Sequence, residues 1–370
     1  MSFSSNLKDW IKVEKSRDAA SIRAIITGKP LNGYVGWTGY GNLGDEAVYE
    51  AAKVLMPTIT PFRVSRRIDS ISKMLGRPLP LKSFYLGGGT LINQSIFWLE
   101  QSEYAVAHKV PSFCIGSGVA SKDFWQHHSD IHTANNLDRW TKVLNEFVFV
   151  GVRGPLSQEK LANVGIKSKI VGDAAFALAP DTVAARNHDG KIVGLNISYG
   201  TDGAMWGDPQ DFMNAIEKSA RELVAEGYEV RLLPIWKPDV AVSQQIVNAV
   251  NSSKCTLVNA FASLDDYLKA VGQCNYFVGE KLHATIFSCM LRIPSIMLEY
   301  RPKCRDFMES IDMGQYSLRT DEIHDGLIVA KIQDLYDNYN HIAKVLDQKT
   351  LHYKLQQNKA IEVVKAKLPV

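Results

Sequence analysis

The amino-acid sequence predicts an α/β protein of two doubly wound parallel-sheet domains facing one another across a cleft. Three observations carry this. Short apolar runs alternate with helix-length amphipathic segments along most of the 370 residues. The alternation is broken once, by the polar, apolar-poor segment 181–190 (DTVAARNHDG), and then restarts. Glycine-rich turns and basic residues fall just past the C-terminal ends of the apolar runs, the edge at which open α/β sheets bind ligands.

The elements follow in order. Residues 5–27 read as a helix whose apolar contacts are Leu7, Trp10, Ile11, Ile22, Ile25 and Ile26. Its polar middle favours docking on its own domain over lying on a membrane surface. A strand at 33–37 leads into the turn TGYGNLG (38–44) and a helix over 45–55. A strand at 83–86 gives way to Gly87-Gly88-Gly89 and then a helix to residue 108. The strand at 112–115 ends in Gly116-Ser117-Gly118. The strand at 147–152 ends at Arg153, and Pro155 opens the next helix, over 155–164. A strand at 169–171 is closed by Gly172-Asp173. In the second half, strands at 191–197, 228–233, 256–258, 275–278 and 294–298 alternate with helices, and 325–367 reads as one or two helices with a basic tail. The organisation expected is an N-terminal helix (1–30), a first sheet domain (31–182), a second (183–330) and C-terminal helices (331–370).

Composition narrows the partners. A hydrophobic content of 46% and a charged content of 22% are ordinary for a globular chain. The net charge of +3 is too mild to argue for nucleic acid. Five cysteines without a CxxC pair suit buried free thiols in a reducing compartment. With no signal-like start and no run of about 18 apolar residues, a soluble, cytoplasmic protein is expected. His127, His128 and His132 lie in SKDFWQHHSDIH, without cysteines or paired carboxylates, so no metal site is expected.

The candidate site residues sit at strand ends. Gly41, Asn42, Gly44 and Asp45 open a helix whose free N–H groups favour negative charge. The spacing of the loop matches neither GxGxxG nor GxxxxGK[ST]. Gly88, Gly89 and Thr90 offer a backbone nest for an anion or for sugar hydroxyls. Arg153 can hold a carboxylate or phosphate with two parallel hydrogen bonds. Asp173 is read as a turn cap. Lys281, His283, Arg301 and Lys303 fall past the last two strands and form a cationic pocket with one imidazole, whose ordinary pKa near 6.5 suits acid/base work.

Five stretches, GYGNLGDEAV (39–48), LGGGTLIN (86–93), VRGPLSQEKLANVGI (152–166), VGDAAFAL (171–178) and EKLHATIFSCMLRIPSIMLEYRPK (280–303), together resemble the polysaccharide pyruvyl transferase family. The resemblance implies two Rossmann-like domains similar to a GT-B glycosyltransferase. It also implies transfer of the enolpyruvyl unit of phosphoenolpyruvate (PEP) to two hydroxyls of a sugar, giving a cyclic pyruvate ketal and phosphate. No cofactor is expected beyond PEP as donor substrate. The acceptor would be a saccharide or lipid-linked oligosaccharide, with peripheral membrane association. The family's functional residues carry over to Arg153, His283 and Lys303. The chain departs from the family pattern at Lys281 (Arg), Gly154 (Asp), Gln94 (Asp) and Val119-Ala120 (Gly-Pro). Three other readings share the pattern: a GT-B glycosyltransferase using a nucleotide sugar, a non-catalytic carbohydrate-binding or assembly protein, and an enolpyruvyl transferase that leaves an open enol ether.

Overall fold

The computed structural model describes residues 3–126, 136–184, 187–198 and 204–368. The first half runs α1 (Phe3–Thr27), β1 (Leu31–Val35), α2 (Leu43–Leu55), β2 (Ile59–Pro61), α3 (Arg66–Leu75), β3 (Leu81–Leu86), β4 (Gly89–Ile92) and α4 (Ile96–Ala107). It continues with β5 (Ser112–Val119), α5 (Lys122–Gln126), α6 (Leu137–Asn145), β6 (Phe149–Val152), α7 (Pro155–Ala162), β7 (Lys169–Ile170) and a 3-10 turn at Ala174–Leu178. The second half holds β8 (Ile192–Asn196), α8 (Pro209–Ala225), β9 (Glu229–Leu232), α9 (Asp239–Val250), β10 (Cys255–Leu257) and α10 (Leu264–Gly272). There follow β11 (Tyr276–Gly279), α11 (Leu282–Met290), β12 (Ser295–Glu299), α12 (Pro302–Ser310), β13 (Ser317–Arg319), α13 (Leu327–Asp337) and α14 (Tyr339–Lys365).

Two separate parallel sheets result, as expected. The first has the order β2-β1-β3-β5-β6-β7, with β4 also beside β5; the second has the order β10-β9-β8-β11-β12-β13. Both are covered by helices, which is why their strands read as apolar runs rather than alternations. β2, α3, β4, α5, α6, α12 and β13 were not anticipated; the strands among them are only three or four residues long.

The triple glycine is a kink within a strand path, not the start of a helix. β3 pairs with the first half of β5 (Phe84 with Ser112) and β4 with its second half (Gly89 with Ser117). β5 correspondingly runs through Gly116-Ser117-Gly118 to Val119 instead of stopping at Ile115.

α1 docks on its own domain. Ile25 is buried, and the buried Arg17 donates to the carbonyls of Gly36 (3.0 Å) and Thr38 (2.9 Å). Ile11 and Ile26, expected as contacts, are exposed. The side chains of Leu7 and Trp10 and all of His127, His128 and His132 lie outside the described residues. Among the described residues no cluster of metal-ligating side chains occurs, and all five cysteines are buried free thiols.

α14 leaves the second domain and returns to the first. Its Ala360, Ile361 and Val364 pack with Tyr34, Tyr85, Phe113 and Ile115 under the first sheet. Burying Ile361 and Val364 contributes about 1.5–3 kcal/mol each. Gln357 Nε2 donates to the carbonyls of Val171 (3.1 Å) and Asp173 (2.8 Å), fixing the β7 exit where the site begins.

Candidate functional site

A cavity of about 970 Å³ lies between the two domains, at the large end of ligand pockets. Asn42, Asp45, Gly88, Gly89, Thr90 and Arg153 reach it from the first domain, and Lys281, His283, Arg301 and Lys303 from the second. The strand-end placement read from sequence therefore brings nearly all the candidates to one chamber. Gly41 and Gly44 do not line it.

Arg153 is 1% exposed at the end of β6. Its Nη2 donates to Thr90 Oγ1 (3.1 Å), its Nη1 lies 3.6 Å from Asp173 Oδ2, and its Nε lies 3.8 Å from Asp306 Oδ2. Asp173 serves twice. Its Oδ1 accepts from Ala175 N (3.0 Å), capping the 3-10 turn as expected, and also lies 3.9 Å from His283 Nε2. Arg153 Nε and Nη1, Asp173 Oδ2 and His283 Nε2 are all buried without a hydrogen-bond partner in the protein. Four such atoms in one cluster is the signature of a site built for something else to complete.

His283 opens α11 and is pressed against α2. A methyl placed on Gly44 would fall 2.5 Å from His283 Cβ and Nδ1. Gly44 is thus the residue that permits the two domains to touch here, rather than a ligand contact. Burial pushes the imidazole down to about 4; Asp173 opposes the shift, while Arg153, Lys303 and Lys281 reinforce it. His283 is therefore neutral at pH 7 in the free protein, which corrects the expectation of a value near 6.5.

Other groups shift in the same chamber. Burial raises Asp45, against the pull of Lys303 and Lys281, and lowers Lys303, helped by Arg301. Burial raises Glu280 to about 8, although Ser198 N donates to its Oε2 (2.7 Å). Near neutrality the cavity wall thus holds carboxyls able to carry a proton and an amine able to lose one.

The loop at 39–46 departs from its expected role. Glu46 folds back over it, its Oε1 accepting from Gly39 N (2.6 Å) and Gly41 N (3.2 Å) and its Oε2 from Thr38 Oγ1 (2.9 Å). The anion on these amides is the chain's own carboxylate, and Gly41 does not line the cavity. Asn42 is a helix cap, its Oδ1 accepting from Gly44 N (3.1 Å). Lys281 is also engaged: its Nζ lies 3.1 Å from the buried Asp239 and 4.6 Å from the Trp236 ring centre. Its charge is thus matched by Asp239, although the side chain also lines the cavity. Arg301 Nε donates to Ala204 O (2.8 Å), and its guanidinium lies 5.0 Å from the ring centres of both Trp125 and Tyr300.

Asp306, Asp239 and Trp236 were missed. For Asp306 the one signal was Gly154 itself, a departure from the family pattern described above. A methyl on Gly154 would lie 2.1 Å from Asp306 O and 2.5 Å from its Oδ1. Asp306 accepts from Ser157 N (3.0 Å) and Ser157 Oγ (2.6 Å) across the domain boundary. A second carboxylate beside Arg153, besides Asp173, thus comes from α12 of the second domain, and glycine makes room for it. Asp239 and Trp236 left no local signal.

Two Rossmann-like domains, a basic cavity at their facing strand ends and a C-terminal helix that crosses back define a GT-B-like protein. Solved structures agree. The UDP-GlcNAc 2-epimerase of Neisseria meningitidis, bound to UDP-GlcNAc, is similar with a TM-score of 0.57 and 10% identity, over 92% of this chain and 100% of that one. A UGT transferase of Siraitia grosvenorii in complex with UDP is similar with a TM-score of 0.51 and 10% identity, over 91% and 100%. At such identities the likeness is one of fold. Within that fold, the chain belongs to the polysaccharide pyruvyl transferase family, whose sequence profile matches residues 42–302. A curated relative, the amylovoran biosynthesis protein AmsJ of Erwinia amylovora, is 22% identical over 289 residues, which is 70% of this chain and 66% of that protein.

Proposed function

We propose that this protein transfers the enolpyruvyl unit of PEP to two hydroxyls of a saccharide during synthesis of a surface or exported polysaccharide, forming a cyclic ketal. Family membership and the polysaccharide-biosynthesis relative support the reaction class. The observation that carries the site is the buried cluster of Arg153, Asp173 and His283 with its unpaired polar atoms, beside Lys303. PEP offers a carboxylate and a phosphate to match those donors.

In this reading Arg153 and Lys303 hold the two anionic groups. Burial is the main cause that depresses His283, and Arg153 and Lys303 add to it; neutralised by PEP they would add no longer, and the substrate's own charge would favour imidazolium. Loading would thus draw a proton onto His283, next to the carbon that needs it. Protonation of C3 makes C2 electrophilic, and one sugar hydroxyl adds there, losing its proton to a carboxylate of the cavity wall. Phosphate then departs and the second hydroxyl closes the ketal, so one PEP and one diol give one ketal and one hydrogen phosphate.

The test is phosphate release from PEP with a panel of lipid-linked and nitrophenyl sugars. Release with at least one acceptor is expected, together with loss of about 10²–10⁴-fold in His283→Ala. Wild-type rates in that variant would remove His283 from the mechanism. A nucleotide-sugar transferase reading rests on fold alone; stabilisation by a UDP- or GDP-sugar but not by PEP would favour it.

A further inference from the structure

α1 and α3 lie side by side and run in the same direction. At one end Asp18 Oδ1 lies 3.2 Å from Arg63 Nε and accepts from Ser65 Oγ (3.4 Å), while Ser21 Oγ donates to Arg63 O (2.8 Å). At the other end Arg77 Nη1 donates to Ile26 O (3.5 Å). Between them Ile25 and Ile68 share the same core.

The two ends face different surroundings. Glu14 and Arg17 of α1, with residues 63–66 leading into α3, line the cavity. The far end presents Ile26, Met74 and Leu75, which are 58%, 76% and 42% exposed. Ile68 is the one buried residue of α3, so the apolar end of this helix is not explained by packing. Exposed Arg23, Lys73 and Arg77 stand within about a turn of it in sequence. The acid on this helix, Asp69, is matched by Lys73 at 2.7 Å.

Apolar side chains at a tip ringed by cations suit an interface between acyl chains and anionic headgroups. We propose that the paired C-terminal ends of α1 and α3 dock on an anionic phospholipid surface. α3 is ten residues long, so docking would hold the cavity mouth about 15 Å from the headgroups. A lipid-linked saccharide could then reach the cavity while its lipid stayed in the bilayer. That last consequence rests on the saccharide acceptor proposed above, whereas the docking does not. Among the described residues no helix is long and apolar enough to cross a membrane, so this association would be peripheral.

The experiment is co-sedimentation of the full chain with phosphatidylcholine vesicles, with and without phosphatidylglycerol. Binding is expected to require the anionic lipid and to weaken in high salt. Met74→Asp with Leu75→Asp should abolish it. Arg23→Gln, Lys73→Gln and Arg77→Gln together should weaken partitioning about 100-fold, at roughly fivefold per cation. Both sets of variants should keep wild-type phosphate release on a water-soluble acceptor. No binding to anionic vesicles, equal binding to neutral ones, wild-type binding by the triple charge variant, or a self-association that the variants abolish would each overturn the proposal. Binding that persists while phosphate release fails with every acceptor would leave docking standing and refute the pyruvyl reading instead.

Discussion

Gly44→Ala is the substitution that tests the link between domain packing and chemistry. On an unopposed helix the change would help by up to about 1 kcal/mol. Here the new methyl would sit 2.5 Å from His283 Cβ, where ordinary contact begins at 3.4 Å, so the two must part by about 0.9 Å. Rotating the imidazole cannot relieve a contact made by its own Cβ. α2 and α11 must separate instead, at an overpacking cost of about 1–3 kcal/mol. A displacement near 1 Å at a reacting group lowers rates by about 10²-fold. The expected outcome in steady-state phosphate release is therefore a kcat reduced by about two orders of magnitude. KM for PEP should change less than kcat, because the new methyl meets His283 and touches neither Arg153 nor Lys303. A variant with kcat within twofold of wild type and an undiminished melting temperature would refute the reasoning.

Three further outcomes follow from the same geometry. Asp306→Ala removes one of the two carboxylates beside Arg153 and the acceptor for Ser157, and should destabilise by about 3 kcal/mol in urea melts; Gly154→Asp should fail to restore it, since that space is filled by the α12 backbone. His283 has a folded pKa of about 4 against an unfolded value of about 6.5. The unfolded chain therefore takes up the proton first, and stability contributed above pH 6.5 is lost as pH falls toward 4, by on the order of 3 kcal/mol. The difference in urea stability between wild type and His283→Asn across that window isolates this contribution from Asp45, which acts in the opposite sense; a pH-independent difference would count against a buried neutral imidazole. Finally, Lys303→Met should raise KM for PEP more than Lys281→Met, whose main effect should be lower stability from losing the 3.1 Å ion pair with the buried Asp239. The reverse order in PEP kinetics would restore Lys281 as a substrate ligand.

The alternation of apolar runs and helices, the break near 181–190 and the basic strand ends were legible because they are local. Each is set by side-chain period or by the few residues that can follow a strand. They fixed two parallel-sheet domains and placed Arg153, His283, Arg301, Lys303, Asp45 and Gly88 to Thr90 at one cavity. Pairings between distant segments decided the remainder. Glu46 claims the amides of its own loop, Asp239 matches Lys281, and Asp306 takes the space vacated at Gly154. The protonation of His283 likewise depends on burial and on three cations drawn from both domains. A lone sequence records which charges exist, whereas the opening residues of α2 and α11 show which remain available only when packed together.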